Sequence, residues 1–136
     1  MKVRISTSKN VDARQLDNLW RSIWIRRGVA KWKEVLSKSR FVCSAWDGKK
    51  LVGFGRIVED GTMCMFYDIA VHPEYRRKGV GTRIMNELVR KIKKKKYASI
   101  GLFAWKENPA NISFYKKFGF VRVATGMELV KLMKKE

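Results

Sequence analysis

The chain has 136 residues, with 31 Lys and Arg against 12 Asp and Glu, a formal charge of +19, far beyond the few net charges of an ordinary small domain. Its length suits one domain, 1–136, with a real core, and 46% hydrophobic with 12% aromatic residues exclude a disordered chain. No apolar run approaches the roughly 18 residues that cross a bilayer, and Met1-Lys2-Val3-Arg4-Ile5 has no signal core, so a soluble, cytoplasmic, basic protein with no membrane partner is expected.

Lys2 to Thr7 alternates as a short strand, and Ser8-Lys9-Asn10 supplies turn and cap chemistry. Leu16, Leu19, Trp20, Ile23 and Trp24 then recur at helical spacing on one apolar stripe that Gly28 ends, which makes Trp20 and Trp24 core candidates. A second helix is expected over about Ala30 to Lys38. Phe41 to Trp46 and Leu51 to Val58 read as strands joined at Asp47-Gly48, a type I′ hairpin signal. Met63 to Val71 is apolar on both parities, as in a central strand covered on both faces.

Thr82 to Ile92 is an amphipathic helix that ends in Lys93 to Lys96, basic residues suited to its C-terminus. A strand at Tyr97 to Trp105 follows, then a helix at Pro109 to Phe118 capped by Gly119, and a strand at Val121 to Met133 that Gly126 splits. This order predicts an α+β sheet. Cys43 and Cys64 lie in strand-like segments with no histidine cluster near them, so buried free thiols in a reducing compartment are expected, and no metal site.

The chemistry concentrates in Arg76-Arg77-Lys78-Gly79-Val80-Gly81-Thr82, a basic loop between the central strand and a helix. Glycines let backbone N–H groups converge on an anion, the helix start adds positive partial charge, and Arg and Lys add full charges, so the loop suits a phosphate or pyrophosphate. A Walker loop needs Lys where Thr82 stands, and a dinucleotide fingerprint needs a carboxylate near Ser99 to Gly101 that is missing. What remains is Arg-x-x-Gly-x-Gly.

Asp68-Ile69-Ala70-Val71-His72-Pro73-Glu74-Tyr75, continued through that loop, resembles the central strand and pyrophosphate loop of the GNAT superfamily of N-acetyltransferases. A second block, Asn108-Pro109-Ala110-Asn111-Ile112-Ser113-Phe114-Tyr115-Lys116-Lys117-Phe118-Gly119-Phe120, is similar to the family's Asn-x-x-Ala-x-x-x-Tyr-x-x-x-Gly-Phe, with Asn111 in place of the small residue. The two blocks reach from Asp68 to Phe120.

The resemblance implies a GNAT-type fold: a mostly antiparallel twisted sheet of six to seven strands, a splayed central strand and four helices. It implies transfer of acetyl from acetyl-CoA to a primary amine by direct attack in a ternary complex. In that reading the Arg76–Thr82 loop binds the pyrophosphate, Ile69, Ala70 and Val71 run along the pantetheine arm, and an N–H near Val71 polarises the thioester carbonyl. Asn108 is an N-cap or a CoA contact, Asn111 a CoA contact or a packing residue, and Tyr115 protonates the departing thiolate or simply packs on the sheet. Asp68 is a candidate base or amine anchor with a structural ion pair as its alternative, Glu59 is a second candidate base, and His72, the single histidine, is a candidate base or an exposed spacer.

From Arg76 to Lys96 ten residues are basic and one, Glu87, is acidic. CoA phosphates, through Arg77, Lys78 or Lys116, need only a few of these charges. The surplus opposes free polyamines as acceptors unless a local acidic pocket overrides it, and suits an amine on an acidic small molecule or a protein or ribonucleoprotein site. The rival reading is a nucleic-acid or ribosome-binding module using Lys91 to Lys96; a bland one is solubility or high-temperature adaptation. An edge strand near the C-terminus leaves monomer and homodimer both open.

Overall fold

A computed structural model describes residues 2–24, 26–104, 109–123, 127–130 and 133. The elements run β1 (Val3–Ser6), α1 (Ala13–Arg21), α2 (Val29–Lys38), β2 (Phe41–Asp47), β3 (Lys50–Glu59), β4 (Met63–Val71), a 3-10 turn (Pro73–Tyr75), α3 (Val80–Ile92), β5 (Ser99–Leu102) and α4 (Pro109–Lys116). They fall into two compact units, Met1–Leu102 and Phe103–Glu136.

The first unit is built on one sheet in the order β1-β2-β3-β4-β5. Short hairpins make β2/β3 and β3/β4 antiparallel, β1 and β2 pair antiparallel across the α1–α2 connection, and β5 pairs with β4 in parallel, because a parallel partner needs a long crossover and α3 provides it. The Asp47/Lys50 pair closes the β2–β3 hairpin around Gly48 and Lys49. Gly48 has φ of +59° and Lys49 is not among the positive-φ residues, so the turn is of the II′ kind rather than the expected I′.

Each face of the sheet has its own cover. Trp32, Leu16 and Leu19 from α1 and α2 pack with Val42, Leu51 and Phe54. On the opposite face α3 lies so close that a Cβ on Gly53 would stand 2.8 Å from Ile84 Cδ1, and one on Gly55 2.9 Å from Ile84 Cγ2. Glycine at these two positions sets the helix-to-sheet distance. Burial of Cys43 and Cys64 as free thiols agrees with expectation; burial pushes the Cys43 thiol up to about 12 and the Cys64 thiol up to about 11.

Several expectations are corrected. The described residues form five strands rather than six to seven, in a mixed sheet. No ladder reaches the described part of Val121 to Met133, where Val121 and Val123 are exposed, and a strand persists only where a neighbour takes its backbone hydrogen bonds; Gly126 lies outside the described residues. Strand β5 is shorter than Tyr97 to Trp105, and Trp105 is likewise outside them. Helix α1 stops at Arg21 instead of continuing towards Gly28, so Trp24 is 55% exposed rather than core. The stop has a visible cause: the Ser22 hydroxyl donates to the Leu19 carbonyl, and Asp17 gathers the chain further on.

Candidate functional site

Strand β4 changes character half-way. Its pairing with β5 runs from Met63/Ser99 to Phe66/Leu102 and ends there, while β3 accompanies it to Val71. From Tyr67 to Val71, therefore, the side of β4 away from β3 is not paired with β5. β5 itself stops at Leu102, which leaves this edge of β4 open with respect to it.

A bulge lies in the same stretch. Phe54 faces Ala70 and Arg56 faces Tyr67, so Gly55 alone opposes Asp68 and Ile69. Asp68 takes up the extra residue at φ of +57°, a left-handed conformation that Asp tolerates better than most residues. Beyond the bulge, the His72 N–H donates to the Val52 carbonyl at 2.8 Å. Successive backbone groups of a strand point to opposite sides, so the Val71 N–H faces the open edge. The Val71 carbonyl, on that same side, accepts from Arg76 Nε at 3.3 Å.

The loop after β4 bends through two left-handed residues, Arg77 at φ of +61° and Gly79 at +78°. No Cβ clash requires glycine at 79, since nothing lies within 4 Å of a Cβ there; the backbone angle does. Gly79 is the N-cap of α3 and offers no side-chain cap. The first N–H groups of the helix, at Val80, Gly81 and Thr82, thus have neither an intrahelical nor a capping acceptor, and Arg76, Arg77 and Lys78 are exposed around them. That arrangement suits a pyrophosphate. Tyr75 ties the loop to the sheet by donating from its hydroxyl to Asp47 Oδ2 at 2.6 Å, with Lys50 and Lys78 against its ring.

Asp68 is enclosed by two guanidiniums. Arg27 binds it in a fork, Nη1 to Oδ2 and Nη2 to Oδ1, both at 3.0 Å, and Arg56 Nε donates to Oδ2 at 2.7 Å. Burial pushes its carboxyl up, but the hydrogen bonds and charges of Arg27 and then Arg56 prevail and hold it below the usual carboxylate range. A carboxylate so satisfied is a weak base, which favours the ion-pair alternative over the base. Arg27 itself is gripped by aromatic rings, its guanidinium carbon 4.8 Å from the Trp20 centroid and 4.2 Å from that of Trp32, and Arg56 lies over Tyr67.

The loop that carries Arg27 is organised by Asp17. This residue is 3% exposed and accepts from Arg26 Nε, Arg27 N and Gly28 N. Burial raises its carboxyl, yet the Gly28 N–H, Arg26 and the Arg27 N–H leave it lowered overall. Sequence reasoning missed Asp17, Arg27, Arg56 and the Tyr75–Asp47 bond. Arg56 could have been suspected from its place on the strand paired with β4, whereas Arg27, 41 residues from Asp68, leaves no local signal.

The remaining candidates are placed as follows. His72 is half-buried, and its Nδ1 accepts from the Glu74 N–H at 3.1 Å as the N-cap of the 3-10 turn. It also borders a pocket of about 220 Å³ lined by Gln15, Asn18, Leu19, Lys50, Leu51 and His72. Glu59 pairs with Arg40 at 3.3 Å and faces Cys64 in the ladder, roughly 20 Å up the strand from Val71 at strand rise; it is not brought to the open edge. In the second unit Asn111 and Tyr115 lie on α4, the Tyr115 ring is edge-on to Phe114 and Phe120, and Gly119 ends the helix at φ of +94°. Burial pushes the Tyr115 phenol up to about 12. Asn108 lies outside the described residues. Among the described residues no cluster could hold a metal ion, and no helix is long and apolar enough to cross a membrane.

Comparison with known proteins agrees with this geometry. The Acetyltransferase (GNAT) family matches residues 10–120. A curated relative, the uncharacterized N-acetyltransferase ycf52 of Pyropia yezoensis, is 31% identical over 132 residues, covering 93% of this chain and 74% of its own. Among solved structures, a GNAT family acetyltransferase from Streptococcus pneumoniae superposes with a TM-score of 0.81 at 26% identity, over 99% of this chain and 100% of that one. A probable acetyltransferase from Meticillin-resistant Staphylococcus aureus reaches 0.84 at 23% identity, over 94% and 98% of the two chains, and shows the shared fold.

Proposed function

The chain belongs to the GNAT acetyltransferase family, and from that premise we propose that residues 1–136 act as one N-acetyltransferase domain, moving acetyl from acetyl-CoA to a primary amine by direct attack in a ternary complex. One observation carries the reading: the uncapped start of α3, entered through left-handed Arg77 and Gly79, follows a strand whose final stretch has no β5 partner. Acetyl-CoA fits these residues because the loop presents donors and cations and the strand edge presents backbone groups. When bound, it supplies an activated acetyl thioester.

The N–H groups of the Arg77–Thr82 segment, with the side chains of Arg76, Arg77 and Lys78, hold the pyrophosphate. Ile69, Ala70 and Val71 offer the strand edge to the pantetheine arm, and the Val71 N–H donates to the carbonyl oxygen on which negative charge develops. Asn108 and Asn111 are assigned CoA contacts on the strength of the sequence block alone. Tyr115 is assigned to the departing sulfur on the strength of that same sequence block. Burial that pushes its phenol up to about 12 makes it a poorer proton donor than an ordinary tyrosine. Tyr115 therefore acts chiefly as a hydrogen-bond donor to the thiolate. Asp68 positions the bulge through Arg27 and Arg56 rather than acting as the base, so the amine loses its proton to water. The buried thiols suit a reducing, cytoplasm-like compartment.

The test is titration calorimetry with acetyl-CoA at low and moderate salt, beside ATP and a short DNA duplex, followed by thiol-release turnover with an amine panel. Acetyl-CoA binding that survives moderate salt, together with CoA release that depends on an amine, is the expected outcome. Loss of acetyl-CoA binding with retention of DNA would overturn the reading in favour of a nucleic-acid module on the basic face.

A further inference from the structure

We propose that the acceptor amine carries an anionic group, a carboxylate or a phosphate, and that Arg27 and Arg56 receive it beside Asp68 and so determine which amines are acetylated. The inference rests on the acetyltransferase reading and deepens it to a substrate class.

The cluster joins two guanidiniums to one carboxylate, which leaves one positive charge uncompensated. Both Asp68 oxygens are already taken, Oδ1 by Arg27 and Oδ2 by Arg27 and Arg56. Three of the carboxylate's roughly four lone-pair sites are thus used, and an incoming ammonium would find only the one left on Oδ1, beside two guanidiniums that repel it. The bonds within the cluster use Nη1 and Nη2 of Arg27 and Nε and Nη1 of Arg56, and the buried indole N–H of Trp32 beside them has no partner among the described residues. The cluster is also open to a ligand, since the side chains of Arg27 and Arg56 are 28% and 15% exposed.

The two cations are held ready. Arg27 rests against both Trp20 and Trp32, which are edge-on to each other, Tyr67 backs Arg56, and Asp17 fixes the Arg27 backbone. A planar guanidinium held in place loses little freedom when it binds a carboxylate or phosphate. The position is right as well, because Asp68 stands in the bulge three residues before Val71, on the stretch of β4 without a β5 partner. The pocket beside His72 repeats the sign: its lining carries Lys50 and no carboxylate.

The experiment uses two sets of matched amines on the full chain. One is ethanolamine, O-phosphoethanolamine and ethylenediamine; the other is pentylamine, 6-aminohexanoate and cadaverine. Initial rates with acetyl-CoA give kcat/KM, and calorimetry on the CoA-loaded protein gives acceptor binding without chemistry. The anionic member of at least one set should exceed its neutral and cationic partners about ten-fold, a discrimination of about 1.4 kcal/mol; phosphate against carboxylate preference tells which anion is read. Arg27→Gln should collapse the ratio of anionic to cationic acceptor, and Arg27→Lys should restore part of it. A purely structural Arg27 would instead slow all acceptors alike and leave the ratio unchanged, which overturns the proposal. So does a wild-type preference for the diamines, or an absence of anionic binding to the CoA-loaded protein. Failure to bind acetyl-CoA at all is a distinct outcome that overturns the underlying acetyltransferase reading as well.

Discussion

Replacing Asp68 by Asn tests the ion-pair account directly. Asparagine keeps the shape of the side chain and tolerates the left-handed φ of +57°, so the change isolates the charge. It leaves Arg27 and Arg56, 28% and 15% exposed, facing a neutral amide in place of a carboxylate that is 10% exposed. Breaking a fully buried pair by removing one partner costs about 3–5 kcal/mol, and the partial exposure here lowers the expectation to about 2–4 kcal/mol. With a urea m-value of about 2 kcal/mol/M the unfolding midpoint falls by about 1–2 M.

The pH dependence carries a second signature. The folded-state carboxyl is held below its unfolded value, so its contribution is present above the unfolded pKa of about 4 and is lost as pH falls through the folded value. The gap between wild type and Asp68→Asn should be full above about pH 5 and shrink towards strong acid. A variant within 0.5 kcal/mol of wild type at neutral pH (about the scatter of ordinary surface substitutions), or a gap that widens in acid, would refute the reasoning.

Three further expectations follow from single contacts. Gly55→Ala puts a Cβ 2.7 Å from Ile69 Cδ1, 2.9 Å from Ile84 Cγ2 and 3.0 Å from Leu88 Cδ1; overpacking of this kind costs about 1–3 kcal/mol, read as a melting temperature lower by several degrees, and an unchanged melting temperature contradicts it. Tyr75→Phe removes the bond to Asp47 and should raise the acetyl-CoA Kd several-fold with little change in melting temperature; an unaltered Kd means the latch does not order the loop. Tyr115→Phe should lower kcat while leaving acetyl-CoA affinity nearly intact, and undiminished turnover removes Tyr115 from the chemistry.

Local signals were legible where one stretch of chain contains its own cause. The phosphate loop is such a case, since Arg76 to Thr82 carries its glycines, its cations and the helix start together. The same holds for α4, with Pro109 at its start and Gly119 in the left-handed conformation past its end. The hairpin at Gly48 was readable as a turn, but its type depended on where the β2–β3 ladder closed. The Leu16 to Trp24 stripe misled because periodicity marks a face without marking where the helix stops. Capture of the later chain by Asp17 ended it and left Trp24 outside the core.

The role of Asp68 shows the division most clearly. Sequence alone determined that an acid stands on the central strand ahead of a pyrophosphate-type loop, because neighbours along the chain define strand, loop and helix start. Only the tertiary structure decided that this acid sits in a bulge and is closed on by Arg27 from the α1–α2 connection and Arg56 from β3. An ion pair depends on distance in space, and no periodicity along the chain records which distant side chains the packing of helices on a sheet will bring within 3 Å.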